Sequence, residues 1–157
     1  MKTMNRRDMC VALSALVALG SVERPAIAEG TGDATGDTVL SRSETFPYDQ
    51  LPVTHTPNGG AMRKVISGVL ATGEYIEVHE TTLPAGKMPH PPHRHRHSEI
   101  LFIREGKLEF LNDGKPEAVG PGGVVFTASN VMHGLRNIGD TPARYCVIAI
   151  GRPEGPA

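Results

Sequence analysis

Apolar and polar positions alternate along most of the chain after residue 61. In the stretch E-Y-I-E-V-H-E, Ile76 and Val78 alternate with polar residues, which is the pattern of a β-strand with one buried face. The turn sequences A-T-G at 71–73 and N-D-G at 112–114 separate short segments of this kind, and no helical period is evident. The pattern predicts an all-β sandwich or barrel, with later strands in V-V-F-T, V-M-H-G-L-R and A-R-Y-C-V-I-A-I.

The composition agrees with this fold class and excludes some functions. The chain of 157 residues has room for one folded domain, and its 18 glycines and 13 prolines favour turns over long helices. The hydrophobic fraction of 39% is typical of a globular protein. A formal net charge of −1 gives no electrostatic footprint for nucleic acid, so we expect no nucleic-acid partner.

The first 28 residues have the features of a cleavable signal peptide. Arg6 and Arg7 precede an apolar run over 11–22, and A-I-A at 26–28 supplies small residues for cleavage before Glu29. The paired arginines resemble a twin-arginine export signal. The apolar run is shorter than the roughly 20 residues that span a bilayer. We therefore expect a periplasmic or secreted protein, exported by the twin-arginine route, with no membrane anchor after cleavage.

The remaining chain is predicted to have four parts. Residues 29–43 are small, polar and glycine-rich, which is typical of a flexible linker. Residues 44–61 are predicted to be an extended arm, 62–151 the β-barrel and 152–157 a C-terminal tail. Once the signal is removed a single cysteine remains, which excludes an intrachain disulfide. We expect the barrel core to contain Phe102, Phe110, Phe126, Tyr145 and Cys146.

The stretch H-P-P-H-R-H-R-H-S-E, residues 90–99, concentrates candidate metal ligands. His93, His95, His97 and Glu99 would share one face of a straight strand, but His93 and Glu99 would then lie roughly 20 Å apart. Bonds from a metal ion to nitrogen or oxygen are only about 2.0–2.2 Å long. Either the chain bends and returns Glu99 to the first pair, or the ligands are His95, His97 and Glu99.

Two segments resemble the two sequence motifs of the cupin superfamily. G-K-M-P-H-P-P-H-R-H-R-H-S-E-I-L-F-I-R-E-G at 86–106 has the glycine, the His-x-His pair, the glutamate and the closing glycine of the first motif. G-G-V-V-F-T-A-S-N-V-M-H-G-L-R-N at 122–137 is similar to the second motif. Ala128 and Asn130 depart from its usual proline and glycine, but asparagine tolerates a left-handed backbone, so we expect Asn130 to keep the turn.

The resemblance implies a small single-domain cupin, a jelly-roll β-barrel that binds one divalent transition metal ion. Mn, Fe, Zn, Ni and Cu all suit a site of three imidazoles and one carboxylate. Residue by residue, the motifs assign the ligands to His93, His95, Glu99 and His133, while the bend would turn His97 away and leave His90 at the rim. His79 is expected to be an ordinary barrel residue.

Two classes of function fit such a barrel. The first is a metal-dependent oxygenase, isomerase or decarboxylase that acts on a small molecule. The second is a non-catalytic module that binds a metal ion or a small ligand. The resemblance, together with the need to cover exposed strand edges, also implies a homodimer in which the segment 46–51 or a sheet edge takes part.

Overall fold

Residues 37–152 of the chain are described by a computed structural model. Short strands joined by turns account for nearly all of its regular structure, as the alternating pattern predicts. The strands are β1 (Val39–Leu40), β2 (Val53–His55), β3 (Ala61–Leu70), β4 (Tyr75–Leu83), β5 (Ser98–Glu105), β6 (Leu108–Asn112), β7 (Lys115–Val119), β8 (Val124–Thr127), β9 (His133–Asn137) and β10 (Ala143–Ile150), and a 3-10 helix spans Tyr48–Gln50. Within this described region no helix is long and apolar enough to cross a membrane.

The strands form two sheets. The larger sheet has the order β1-β3-β4-β10-β5-β8, with β2 also paired to β3, and the smaller has the order β7-β6-β9. All neighbours are antiparallel except β1 and β3, which are parallel. Because β9 follows β8 in the sequence but lies in the other sheet, the chain crosses between the sheets there. The all-β jelly-roll arrangement expected from the sequence is confirmed.

The core lies between the inner faces of the two sheets. Side chains alternate along each strand, so Leu101 and Ile103 are buried while Phe102 between them is 44% exposed. Phe126 is likewise 63% exposed on β8, so the expectation that these two phenylalanines are core residues is wrong. Cys146 is half-buried. The buried cluster consists of Leu83, Leu101, Ile103, Leu108, Phe110, Val125, Leu135, Ala143, Tyr145 and Val147.

Positive backbone φ angles occur at the turns that the sequence marks. The β6–β7 hairpin turns at Asp113 (φ 47°) and Gly114 (φ 80°), as the N-D-G sequence predicts. Asn130 has φ 61°, which confirms that it keeps the left-handed turn of the second motif. Gly106 has φ 88°, and a Cβ there would lie 2.6 Å from Cα of Ala143. That turn therefore requires glycine both because of the positive φ and because a Cβ has no space there.

The segment before the barrel is more ordered than the sequence predicts. Val39 and Leu40, which fall within the predicted flexible linker, pair with Val69 and Leu70 of β3. A flexible linker is therefore wrong for these two positions. The arm contributes β2 to the sheet and places the Tyr48 ring 4.7 Å from the Arg63 guanidinium. The predicted signal peptide and most of the C-terminal tail lie outside the described residues.

Candidate metal centre

The four side chains that the motifs assign to the metal come from three parts of the fold. His93 and His95 lie in the loop between β4 and β5, Glu99 lies in β5 and His133 is the first residue of β9. The backbones of His93 and His133 exchange two hydrogen bonds, with N–O distances of 2.9 and 2.8 Å. This bridge fixes the loop of the first motif directly to the strand of the second.

The imidazole rings converge on one point. The ring centroid of His133 lies 4.6 Å from those of both His93 and His95. One nitrogen from each of the three rings lies within 4.8 Å of the other two. Glu99 lies beside this group, because its Oε1 is 3.5 Å from Nε2 of His95 and its Oε2 is 3.9 Å from Nε2 of His133. Ligand atoms at such separations can contact one ion after small side-chain adjustments, given bonds of about 2.0–2.2 Å.

Hydrogen bonds to the backbone determine which ring nitrogens are free to bind a metal. Nδ1 of His95 lies 2.8 Å from the carbonyl oxygen of His97, and Nδ1 of His133 lies 2.9 Å from that of Val131. A carbonyl only accepts, so Nδ1 carries the proton in both rings and Nε2 holds the lone pair. Both Nε2 atoms, and Nδ1 of His93, are buried without a hydrogen-bond partner. Such unpartnered nitrogens fit a metal ion between them.

The protonation of the site also favours metal binding. Burial, and next the neighbouring imidazoles of His90, His133 and His95, lower the pKa of His93 to about 4, although Glu99 opposes this. His93 is therefore neutral at physiological pH, which is the form that binds a metal. Burial and the adjacent His95 likewise lower the pKa of His97.

His97 lies closer to the centre than the motif suggests. The chain bends at Arg96 and His97, and β5 begins at Ser98, so the bend needed to return Glu99 is present. It does not, however, carry the His97 ring away. That ring stacks on His95 with centroids 3.6 Å apart, and its Nε2 is 3.5 Å from Oε1 of Glu99. His95, His97 and Glu99 thus form a second possible ligand group, which overlaps the first.

The other residues of the histidine-rich loop are at its outer side. His90 is exposed, and its ring centroid is 4.1 Å from that of His93, so it lies at the rim as expected. Arg94 and Arg96 are exposed and alternate with the histidines, which directs them away from the centre.

A cavity of about 280 Å³ lies inside the barrel beside Glu99 and His133. Most of the lining residues were not predicted as part of a site, among them His79 on β4, Thr127 on β8 and Tyr145 on β10. The alternation along β4 places His79 on the same face as buried Leu83, but the sequence alone does not say which face is inside. The full lining is Thr56, Asn58, Met62, His79, Thr81, Thr82, Leu83, Pro89, His90, Glu99, Leu101, Phe110, Thr127, His133, Gly134, Leu135, Tyr145 and Val147.

His79 is the cavity residue best suited to proton transfer. Burial lowers its pKa, with Glu77 and then Glu99 opposing the shift, so the ring is neutral at physiological pH. Its Nδ1 is 3.7 Å from Oε1 of Glu77. Tyr145 is a weaker candidate, because burial raises its pKa and its hydroxyl is hydrogen-bonded to Thr81.

Part of the chain is similar in sequence to known proteins. Residues 79–149 match the family described as the cupin domain. A segment of 73 residues, 46% of the chain, is 40% identical to dimethylsulfoniopropionate lyase DddQ of Ruegeria pomeroyi. The match spans 35% of the length of that lyase, so it concerns only part of the enzyme.

Solved structures share the fold at low sequence identity. An RmlC-like cupin from Shewanella frigidimarina superposes with a TM-score of 0.59 at 20% identity, covering 70% of this chain and 93% of the other. KdgF from Halomonas sp. gives a TM-score of 0.60 at 16% identity, with coverages of 71% and 96%. A predicted oxalate decarboxylase from Thermotoga maritima gives 0.59 at 21% identity, with coverages of 69% and 100%. These likenesses establish the fold.

Proposed function

We propose that the protein binds one divalent transition metal ion and uses it to transform a small molecule, because residues 79–149 match the cupin-domain family. The proposed ligands are His93, His95, Glu99 and His133. The observation that carries the proposal is the set of buried, unpartnered nitrogens on the three histidines, which face one another beside a carboxylate.

The ligand set favours a catalytic rather than a purely structural ion. Three neutral imidazoles and one carboxylate suit Mn, Fe, Ni, Cu or Zn, and in the five- or six-coordinate sites that several of these ions form, one or two positions remain for substrate. When bound, the ion would supply Lewis acidity to a substrate oxygen. The cavity beside Glu99 and His133 supports this, because it gives a small molecule access to the ligands.

The remaining chemistry would come from the chain's own side chains. His79 is neutral and lines the cavity, so it can accept a proton from a substrate held there. Glu77, whose Oε1 is 3.7 Å from Nδ1 of His79, would stabilise the resulting imidazolium. The similarity of part of the chain to a lyase supports a lyase reaction, alongside the oxygenase, isomerase and decarboxylase reactions that the fold accommodates.

A non-catalytic module that binds a small ligand is the second candidate. It is favoured by the lining of the cavity, in which apolar and hydroxyl side chains outnumber groups able to transfer protons. Turnover separates the two candidates, because a binding module retains its ligand unchanged.

The experiment is metal analysis followed by an activity screen. We expect the purified protein to contain about one transition metal ion per chain and to convert a member of a small-molecule panel. His133→Ala should abolish both properties, whereas His55→Ala, a matched change on the exposed strand β2, should alter neither. Full metal content in His133→Ala would contradict the proposed site.

We also propose that the protein is a homodimer. Among the described residues β8 pairs with β5 alone, which leaves its other edge open, and Val124 and Phe126 on it are exposed. β7 is also a sheet edge, but Lys115 and Pro116 disfavour its pairing with a strand of another chain. Sedimentation equilibrium should give twice the chain mass, and Phe126→Glu should give a monomer with unchanged metal content.

Export by the twin-arginine route to the periplasm or the medium is a further proposal, supported by Arg6, Arg7 and the apolar run after them. Replacing both arginines with lysine should retain the protein in the cytoplasm. Normal export of that variant would exclude the twin-arginine route.

A further inference from the structure

We infer that the substrate is a small molecule with a single anionic, metal-chelating end and an uncharged body. This inference rests on the proposed function and names the class of molecule that its site accepts. It follows from the charge, the size and the unpartnered polar atoms of the cavity.

The cavity lining has little positive charge of its own. Within residues 37–152, no lysine or arginine lines the cavity. Several arginines of the described barrel are instead directed outward, where each meets another side chain. Arg104 pairs with Glu80 (2.6 Å), Arg136 with Glu109 (3.8 Å) and Arg144 with Glu105 (3.3 Å), while Arg63 lies over the ring of Tyr48.

The proposed ion would then be the single strong positive charge in the cavity. A divalent ion bound by the Glu99 carboxylate leaves a net charge of about +1, which one anionic group neutralises. A second anionic group elsewhere in the cavity would meet apolar and hydroxyl side chains and the neutral His79, with no cation among the described lining residues to compensate it. Burying an unpaired charge among apolar side chains is strongly unfavourable. The lining therefore selects against dianions, sugar phosphates among them.

The size of the cavity limits the body of the molecule. A volume of about 280 Å³ is at the lower end of the range for ligand pockets, roughly 300–1,000 Å³. The site therefore suits a small molecule.

Thr127 places one polar contact next to the metal. Its Oγ1 is buried without a partner, the residue is 2% exposed, and it is the direct neighbour of Glu99 across β8 and β5. A buried hydroxyl in a cavity normally has a hydrogen-bond partner. We assign that partner to the chelating end of the substrate or to a water molecule bound with it.

Two probes of equal chain length test the inference. 2-Oxopentanoate and 2-oxoglutarate share the same chelating end and five carbons, and differ only in the second carboxylate. Titration calorimetry of the metal-loaded protein should give at least tenfold tighter binding of 2-oxopentanoate. Equal or tighter binding of 2-oxoglutarate would overturn the inference, and so would failure of both to bind at millimolar concentration.

Two variants sharpen the test. Met62→Lys places a cation at a half-buried position of the lining, and should improve 2-oxoglutarate binding relative to 2-oxopentanoate by fivefold or more. Thr127→Val keeps the side-chain shape but removes the hydroxyl, and should weaken both probes about three- to tenfold. Unchanged affinities in both variants would show that the probes bind elsewhere.

Metal content, measured before each titration, separates the two claims. A wild-type protein that takes up no metal contradicts the proposed function and removes the basis of the inference. A metal-loaded protein that prefers the dianion contradicts the inference alone.

Discussion

The backbone of His93 is hydrogen-bonded to that of His133 in both directions, although the two residues belong to different motifs far apart in the sequence. The bridge involves no side-chain atom, so the two imidazoles are held in register by the chain itself. The proposed metal site would therefore be largely formed before an ion binds. Substitution of either ring should therefore remove a ligand without unfolding the barrel.

Protonation of His93 should make the metal-free protein less stable in acid. Its pKa of about 4 in the folded protein lies below the ordinary value of 6.5, so the unfolded chain binds the proton more readily. The contribution of this residue to stability is complete above pH 6.5 and is lost as the pH falls towards 4. Thermal unfolding with a chelator present should show a steeper loss across this window in wild type than in His93→Gln. Identical pH profiles would exclude the depressed pKa.

Gly106→Ala should destabilise the protein more than the same change at another glycine with positive φ. At Gly106 the new Cβ meets both an unfavourable φ of 88° and the backbone of Ala143, for a total cost of about 2–5 kcal/mol. Gly73 has φ 100° but no atom within 4 Å of a Cβ, so Gly73→Ala should cost only about 1–2 kcal/mol. Urea denaturation measures both, and equal losses would mean that the turn at Gly106 relaxes.

Asn137→Asp should be among the most damaging single substitutions in the barrel. The side chain is fully buried, and its Nδ2 donates to the carbonyls of Leu83 and Thr141 while its Oδ1 accepts from the amide of Gly139. An aspartate would turn an oxygen towards two carbonyl oxygens, at a cost above about 3 kcal/mol. Asn130→Asp, at an exposed turn where the Ser129 hydroxyl can donate to the new carboxylate, is the matched control and should change stability by less than about 0.5 kcal/mol. A soluble Asn137→Asp protein with an unchanged melting temperature would contradict this role.

The sequence predicts the fold well because its signals are local. Alternation, the N-D-G turn and the left-handed Asn130 depend on neighbouring residues, and all are confirmed. Sequence patterns do not predict which face of a strand is buried when that depends on strands far away in the sequence. Phe102 and Phe126 fit the period of their strands equally well on either face, and only the packing of the second sheet shows that both face outward.

The sequence likewise predicts only part of the candidate site. The spacing in the first motif requires a bend before Glu99, and the bend is present. The His97 ring stays near the centre because it stacks on the His95 ring. The spacing of residues in the sequence does not predict this contact. His79 and Thr127 reach the cavity from two other strands, so only the assembled barrel brings them together.

The metal content of two alanine variants tests the central claim most directly. His93→Ala removes a proposed ligand, while His97→Ala removes a neighbour that contacts Glu99 without being proposed to bind the ion. After equal exposure to metal, elemental analysis should find almost no metal in His93→Ala and about one ion per chain in His97→Ala. Loss of a residue that does not itself bind the ion typically lowers metal affinity by only about 10–100-fold. A full site in His93→Ala with an empty site in His97→Ala would contradict the account and assign the ion to His95, His97 and Glu99.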